Sequence, residues 1–247
     1  MRQLIRKFLQ KFNYDIVKLH PVFKIGAVNK DALESEFRWL KEYQFKTIID
    51  VGANEGQFSE KMRILFPDAF IYAFEPLEAT FKILQKNFES DNNFKALKLA
   101  CGDSKTNMQI HQNESTASSS LLKMSEKHTS NFTHAVKTSV AEIEIDTLDN
   151  IFNSINLNHP ILLKMDVQGF EDKVIEGGKS IIGNADMVIT ELSFTELYNG
   201  QPLFNHLYSM FMKLGFVYSG SIDQLRSPIN NKVLQQDGVF IKNDRQK

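Results

Sequence analysis

Short apolar runs alternate with helical segments along most of this chain, and that alternation constrains the fold more than any other feature of the sequence. Strands are predicted at Thr47–Val51, Phe70–Phe74, Phe94–Ala100, Ile161–Val167 and Met187–Leu192. Helices are predicted at Gln57–Phe66, Glu78–Glu89, Phe170–Gly177 and Pro202–Leu214. Such an alternation is typical of a mostly parallel sheet with helices on both faces. The sequence therefore predicts a doubly wound α/β domain.

Two regions depart from this rhythm. The last two apolar runs, Phe216–Ser221 and Lys232–Lys242, are joined by a loop rich in turn-forming residues, which predicts an antiparallel pair. Between Asp103 and Leu148 the chain is largely polar and ends in the alternating run Thr138–Ile145. A functional loop with an extra strand is expected there, because loops this long inside a domain are usually functional or disordered.

Length and composition narrow the possible functions. The 247 residues fit one large domain at 46–247 preceded by a helical extension at 1–45. A net charge of -1 gives no basic surface for nucleic acid. Cys101 is the only cysteine, which excludes an internal disulfide and fits a reducing cytosol. No signal peptide or membrane-spanning run is evident, so a soluble cytoplasmic protein is expected.

The opening segment is predicted to form a basic amphipathic helix. Leu4, Phe8, Phe12 and Ile16 recur every four residues among arginines and lysines. Packing on its own domain is the favoured interpretation, and peripheral contact with an anionic membrane that carries a lipid-linked substrate is the alternative. A second helical stretch is predicted at Lys30–Tyr43.

The segment Thr47–Gly56 is a buried strand followed by a glycine turn and a helix. The carboxyl end of the first strand is the expected cofactor crevice of such a sheet, although a tight turn without a ligand has the same pattern. A nicotinamide dinucleotide site requires Gly-x-Gly-x-x-Gly, whereas only Gly52 and Gly56 are present. Asp50 and Glu55 add negative charge, which suits a cationic, phosphate-free ligand. The expected cofactor is therefore S-adenosylmethionine.

Acidic residues after the next two strands extend this prediction. Glu75 ends the second strand about twenty residues after the glycine turn, where a carboxylate can accept both ribose hydroxyls. A solvated carboxylate at a strand end is the alternative. Gly102 and Asp103 follow the third strand and border the adenine in this hypothesis, although a plain turn explains them nearly as well.

A second strand–turn–helix segment, Leu162–Glu171, carries the candidate substrate site. Its polar residues are Lys164, Asp166, Gln168 and Glu171. The carboxyl end of a central strand is the edge at which substrates bind. Glu171 equally fits a first-turn helix carboxylate. Glu191 ends the fifth strand and is either a site residue with a partner or the point at which the strand meets solvent.

Five motifs in this order resemble the FkbM methyltransferase family. They are Ile49-Asp-Val-Gly-Ala-Asn-Glu-Gly56, Ala73-Phe-Glu-Pro76, Ala117-Ser-Ser-Ser120, Asp146-Thr-Leu-Asp149 and Leu163-Lys-Met-Asp-Val-Gln-Gly-Phe-Glu171. The resemblance implies the class I methyltransferase fold, a seven-stranded sheet with its last strand antiparallel. It also implies O-methylation of sugar hydroxyls on glycans or of natural-product scaffolds.

The resemblance assigns roles to individual positions. It implies that the methionine end of the cofactor is lined by Asp50, Gly52, Asn54 and Gly56. It places Glu75 at the ribose and Asp103 on the adenine side. Gln168 stands where many members have glutamate, so an acidic role at that position is not carried over.

Methyl transfer to a hydroxyl requires a group that takes the proton. Asp166 is the favoured candidate and Glu191 the next, with the loop histidines as a further option. Those histidines are His111, His128 and His134. No metal is expected, although a divalent ion held by the two carboxylates is an alternative. Two rival functions remain at this point: an NAD-dependent oxidoreductase and a non-catalytic interaction domain.

Overall fold

The computed structural model describes residues 37–113, 120–125 and 138–243. Its strands are β1 (Thr47–Val51), β2 (Phe70–Phe74), β3 (Phe94–Leu97), β4 (Ala100–Cys101), β5 (Thr106–Asn113), β6 (Thr138–Asp146), β7 (Ile161–Met165), β8 (Met187–Ser193), β9 (Phe216–Arg226) and β10 (Val233–Lys242). A 3₁₀ helix covers Arg38–Tyr43. The α-helices are α1 (Gln57–Leu65), α2 (Glu78–Asn87), α3 (Leu148–Ile151), α4 (Glu171–Gly177), α5 (Lys179–Asn184) and α6 (Phe204–Lys213).

Seven strands form the main sheet in the order β3-β2-β1-β7-β8-β10-β9. The first five of these pair in parallel, whereas β10 runs antiparallel to both β8 and β9. The predicted doubly wound sheet with an antiparallel last strand is confirmed, and with it the class I methyltransferase fold that the resemblance implies.

Alternating side chains bury both faces of this sheet. Every residue of β1 is buried, and Ile48 packs on one face with Met62 of α1. Ile49 points to the other face and packs with Val174 of α4. Strands buried on both faces read as continuous apolar runs, which is why the sequence predicted β1 and β7 so closely.

The structure differs from the prediction around the third strand. The run expected at Phe94–Ala100 divides, because the chain leaves the main sheet after Leu97 and Ala100 pairs with Ile145 of β6. A second sheet of order β4-β6-β5 results, and it contains the extra strand expected at Thr138–Ile145. A run of apolar residues carries no information about which neighbouring strand it pairs with, so the change of sheet was not predictable locally.

Only the last part of the amino-terminal segment lies within the residues that the structure describes. The basic helix at 4–16 and most of the stretch at 30–43 lie outside the described residues. Within the described part, Phe37 and Leu40 are buried in the same apolar cluster as Ile48. The boundary at residue 45 stays a prediction. None of the helices in the described ranges is long and apolar enough to cross a membrane.

Candidate active site

A cavity of about 300 Å³ opens at the carboxyl edge of the main sheet. One end is apolar, with walls that include Leu99, Ile110, Ile143 and Phe170. The other end is charged, with walls that include Lys61, Lys164, Asp166 and Asp237. The turn after β1 and the carboxylate of Glu75 also line it. The second sheet thus closes the apolar end, so the region between Asp103 and Leu148, where a functional loop and an extra strand were predicted, contributes directly to the site.

Gly52 lets the turn after β1 pass close to the end of β7. Its φ is 82°, a left-handed value, and a Cβ there would lie 2.9 Å from the carbonyl carbon of Asp166 and closer still to its oxygen. The main-chain nitrogen of Asp166 in turn donates to the carbonyl of Val51 at 3.0 Å. Asn54 also has a left-handed backbone, with φ of 52°. Only glycine fits at Gly52 without moving one of the two turns.

Glu75 joins the turns after β1 and β2. Its Oε2 accepts from the main-chain N–H of Asn54 at 3.1 Å, and its Oε1 accepts from that of Leu77 at 2.9 Å. Burial raises the pKa of Glu75 to about 7, against these two hydrogen bonds, which favour the ionised form. The carboxylate is therefore fixed at the cavity wall with acceptor capacity left for a ligand.

Lys164 is the positive centre of the charged end. Its Nζ lies 3.3 Å from Oδ2 of Asp166 and 4.0 Å from Oδ1 of Asp50. Burial alone would lower the pKa of Lys164, but attraction to Asp166, Asp50 and Asp237 outweighs burial and raises it. The lysine therefore stays charged.

Asp50 is fully buried behind this cluster and does not line the cavity itself. Its Oδ2 accepts from the hydroxyl of Ser59 at 2.7 Å, whereas its Oδ1 has no hydrogen-bond partner. Burial raises the pKa of Asp50, and the charge of Lys164 opposes that rise. A buried acceptor without a donor is costly, and the positive charge of Lys164, 4.0 Å from Oδ1, partly offsets that cost.

Asp166 and Glu191, the two predicted catalytic carboxylates, are joined by one amide. Nε2 of Gln168 lies 2.6 Å from Oδ1 of Asp166 and 3.1 Å from Oε2 of Glu191. Asp166 lines the cavity, whereas Glu191 does not. The other oxygen of Glu191 accepts from Gln235 at 2.6 Å. Burial, with nearby carboxylates, raises the pKa of Glu191 well above its ordinary value.

Glu171 holds the turn after β7. Its Oε1 accepts from the main-chain N–H groups of Val167 and Gly169, both at 3.2 Å. Burial raises its pKa to about 7, and these hydrogen bonds oppose the rise. Glu171 is thus positioned to shape the turn that carries Asp166.

The predicted cofactor residues fall into two groups. Gly52, Asn54 and Glu75 line the cavity together with Asp166. The remaining glycines pack instead: a Cβ on Gly56 would lie 2.6 Å from the ring of Phe88, and one on Gly102 would lie 2.8 Å from Ile145.

Asp103 is exposed, and its Oδ2 lies 3.2 Å from Nζ of Lys173. It does not line the cavity, and neither do Gly56 and Gly102. Their assigned roles at the cofactor stay predictions. His128 and His134 lie outside the described residues, as does the side chain of His111.

Two charged residues of the cavity were not predicted. Asp237 interrupts the apolar strand β10, the same signal that drew attention to Glu191 in β8, and its register partner is Glu191. Burial raises the pKa of Asp237 to about 6, with Asp166 adding to the rise and Lys164 opposing it. Lys61 of α1 gave no such signal, because exposed lysines are usual on helices.

The donor set fits the expected cofactor. Apolar walls suit an adenine ring, and the buried carboxylate of Glu75 at the wall suits a ribose diol. Carboxylates beside a buried lysine suit an amino acid that carries both charges. Within the described ranges, no three His, Cys, Asp or Glu side chains are grouped to hold a metal ion.

Comparison with known proteins identifies the family. Residues 50–218 match the family model of the methyltransferase FkbM domain. The chain is 26% identical over 168 residues to the 2-O-methyltransferase NoeI of Sinorhizobium fredii, covering 66% of this chain and 69% of that protein. It is 28% identical over 142 residues to methyltransferase 1 of Beauveria bassiana, covering 53% of this chain and 57% of the relative.

A solved structure is also similar at low identity. Magnesium protoporphyrin IX methyltransferase of Synechocystis PCC 6803, crystallised with bound S-adenosylmethionine, shares 10% identity with a TM-score of 0.46, over 97% of this chain and 96% of that one. The family match spans most of the chain and includes the glycine turn after β1, Asp166 and Glu191. The chain therefore belongs to the FkbM methyltransferase family and is an S-adenosylmethionine-dependent methyltransferase.

Proposed function

We propose that this methyltransferase acts on a hydroxyl group of a sugar, a glycan or glycolipid, or a natural-product scaffold, with Asp166 as the proton acceptor. The observation that carries the proposal is the position of Asp166, whose side chain is 35% exposed at the wall of the cavity. An alcohol is a poor nucleophile, so a base must take its proton as the new bond forms. Bound S-adenosylmethionine supplies the electrophilic methyl group, and the protein's part is to align the hydroxyl and remove the proton.

The surroundings favour Asp166 over Glu191 for this task. Lys164 lies 3.3 Å from Oδ2 of Asp166 and stabilises its negative charge. Glu191 is already engaged by two amides, from Gln168 and Gln235, and does not reach the cavity. We therefore assign Glu191 a supporting role at the carboxyl edge of the main sheet beside the cavity, called the rim below, rather than a role in proton transfer.

The acceptor class rests on the relatives and on charge. NoeI is named as a 2-O-methyltransferase, which supports oxygen as the accepting atom. A net charge of -1 argues against nucleic acid as the acceptor. A glycolipid acceptor would agree with membrane contact through the amino-terminal helix, which stays a prediction because that segment lies outside the described residues.

A methylation screen tests the proposal. The full chain is incubated with S-adenosylmethionine and one of three probes: a set of methyl glycosides, a primary amine or a short RNA. Product is measured by mass spectrometry. We expect methyl glycosides to be methylated, and methylation of only the amine or the RNA would overturn the acceptor class.

Two variants test the separate roles of Asp166 and Glu75. Asp166→Asn should lower kcat by about 10²–10⁴-fold without changing the calorimetric affinity for S-adenosylhomocysteine. Glu75→Ala should instead abolish that binding, because it removes the carboxylate at the cavity wall. An Asp166→Asn enzyme with full activity would refute the role of Asp166 as proton acceptor.

A further inference from the structure

The side-chain amide of Gln168 makes hydrogen bonds through both its nitrogen and its oxygen, next to the two carboxyl groups of Asp166 and Glu191. Its Nε2 donates to Asp166 and Glu191, and its Oε1 accepts from the hydroxyl of Tyr198 at 2.7 Å. Its main-chain carbonyl accepts from the hydroxyl of Ser120 at 2.6 Å. These contacts come from the turn after β7, the end of β8 and two loop segments. The side chain is therefore held from several directions.

The observed orientation of this amide matches its neighbours. If the amide were reversed, its oxygen would face the carboxylate oxygen of Asp166, 2.6 Å away, and two acceptors would meet. In the observed orientation the amide nitrogen donates to Asp166, and the amide oxygen accepts from the hydroxyl of Tyr198. Tyr198 is itself buried, at 1% exposure, which keeps water from competing for this hydrogen bond.

The backbone at Gln168 is held in an unusual conformation to achieve this. Its φ is 54°, a left-handed value that non-glycine residues rarely adopt. Gly169 follows with φ of 98°, and a Cβ there would lie 2.9 Å from Cβ of Gln201. Two consecutive left-handed residues turn the side chain of Gln168 back toward the rim, and the cost of that backbone is offset by the hydrogen bonds it makes.

We propose that Gln168 is a positioning residue for methyl transfer, whose amide holds Asp166 in its ionised form at the cavity and joins it to Glu191 without adding charge. This inference rests on the proposed function, in which Asp166 takes the proton. A cation placed between the carboxylates of Asp166 and Glu191 would attract both of them. In this structure the amide nitrogen of Gln168 lies between them and donates to both.

Charge explains why a neutral donor matters at this point. Six titratable groups on the surrounding elements interact with Asp166: Lys164 of β7, Asp50 of β1, Glu171 of α4, Glu191 of β8, Tyr198 of the loop after β8, and Asp237 of β10. Among these six groups Lys164 is the cation, and four are carboxyl groups. A donor without charge stabilises the ionised form of Asp166, whereas another carboxylate would oppose it.

Two substitutions test the inference without an acceptor. In ¹³C NMR of the carboxyl carbons, the titration midpoint assigned to Asp166 by comparison with Asp166→Asn should rise by about one pH unit in Gln168→Met and further in Gln168→Glu. Gln235→Met is the matched control, because Gln235 bonds Glu191 but not Asp166. It should move the Asp166 midpoint far less.

The pH–rate profile, measured with a methyl glycoside that the enzyme accepts as a substrate, provides the functional readout. The acidic limb of kcat/KM should move to higher pH in the same order, and Tyr198→Phe should move it in the same direction, since it releases the amide. A purely structural role would lower the melting temperature and leave the limb in place. Unmoved midpoints in both Gln168 variants, with S-adenosylhomocysteine binding retained, would overturn the inference, whereas full activity of Asp166→Asn would overturn only the proposed function.

Discussion

Replacing Gly52 with alanine is expected to destabilise the protein and to abolish cofactor binding. The φ of 82° alone costs an alanine about 1–2 kcal/mol. The new Cβ would also meet the carbonyl group of Asp166, with 2.9 Å to its carbon. That group is backbone and cannot rotate away, so the overlap adds about 1–3 kcal/mol. The total, about 2–5 kcal/mol, corresponds to a fall in melting temperature of roughly 4–20 °C for a domain of this size.

Substitutions at two other glycines separate the cost of the left-handed backbone from the cost of the overlap with Asp166. Gly200 has φ of 79° with nothing within 4 Å of an added Cβ, so Gly200→Ala reports the left-handed strain alone. Gly183 lies in α5 with open space around it and no left-handed φ, so Gly183→Ala should be neutral or stabilising by about 0.4–1 kcal/mol.

Urea denaturation and calorimetry with S-adenosylhomocysteine measure both effects. We expect Gly52→Ala to lose more stability than Gly200→Ala, and Gly52→Ala alone to lose ligand affinity. Equal losses for the two left-handed positions would refute the argument from close approach, since only Gly52 faces a neighbouring turn.

Three further outcomes follow from the charged and buried groups. Because burial raises the pKa of Glu75 to about 7, the folded state keeps a proton that the unfolded state releases near pH 4.5. The free energy of unfolding should therefore fall as pH rises through this window, and Glu75→Gln should flatten that fall by up to about 1.4 kcal/mol per pH unit; an unchanged slope in urea titrations would contradict this. Lys164→Met leaves Asp50 and Asp166 without their shared cation and should cost about 3–5 kcal/mol at pH 7 and less at pH 5, where carboxylates take up protons; equal losses at both pH values would count against it. Burial raises the pKa of the Cys101 thiol, so a thiol reagent at pH 8 should label it slowly and more slowly still with S-adenosylhomocysteine in the cavity, and labelling as fast as in denaturant would show the opposite.

The sequence predicted those parts of the site whose characteristic residues lie close together along the chain. The turns after β1 and β7 each combine a buried apolar strand, a glycine and acidic residues within about ten positions, and the structure brings both to one cavity. Glu75 was found in the same way, from a carboxylate at a strand end. Such signals depend only on neighbours along the chain.

The parts that sequence reasoning missed depend on contacts between distant segments. Asp237 reaches the cavity because β10 pairs with β8, and Lys61 reaches it because α1 packs on the sheet at β1. Gly56 and Gly102 show a second limit of prediction from the sequence. A glycine that admits a ligand and a glycine that admits a packed side chain look alike in sequence, and here the second explanation describes their surroundings.

The insertion of β10 between β8 and β9 has a consequence for biosynthesis. β9 is made before β10, yet in the main sheet it pairs with β10 alone, so the edge of β8 stays open until the last strand has left the ribosome. An open apolar edge is a site for wrong pairing, and this interval is when the nascent chain most needs protection. Gln235 and Asp237 arrive on the same strand, so the charged end of the cavity is completed only at the final step of sheet assembly. A chain that ended before residue 233 would contain both glycine turns but would lack Gln235 and Asp237.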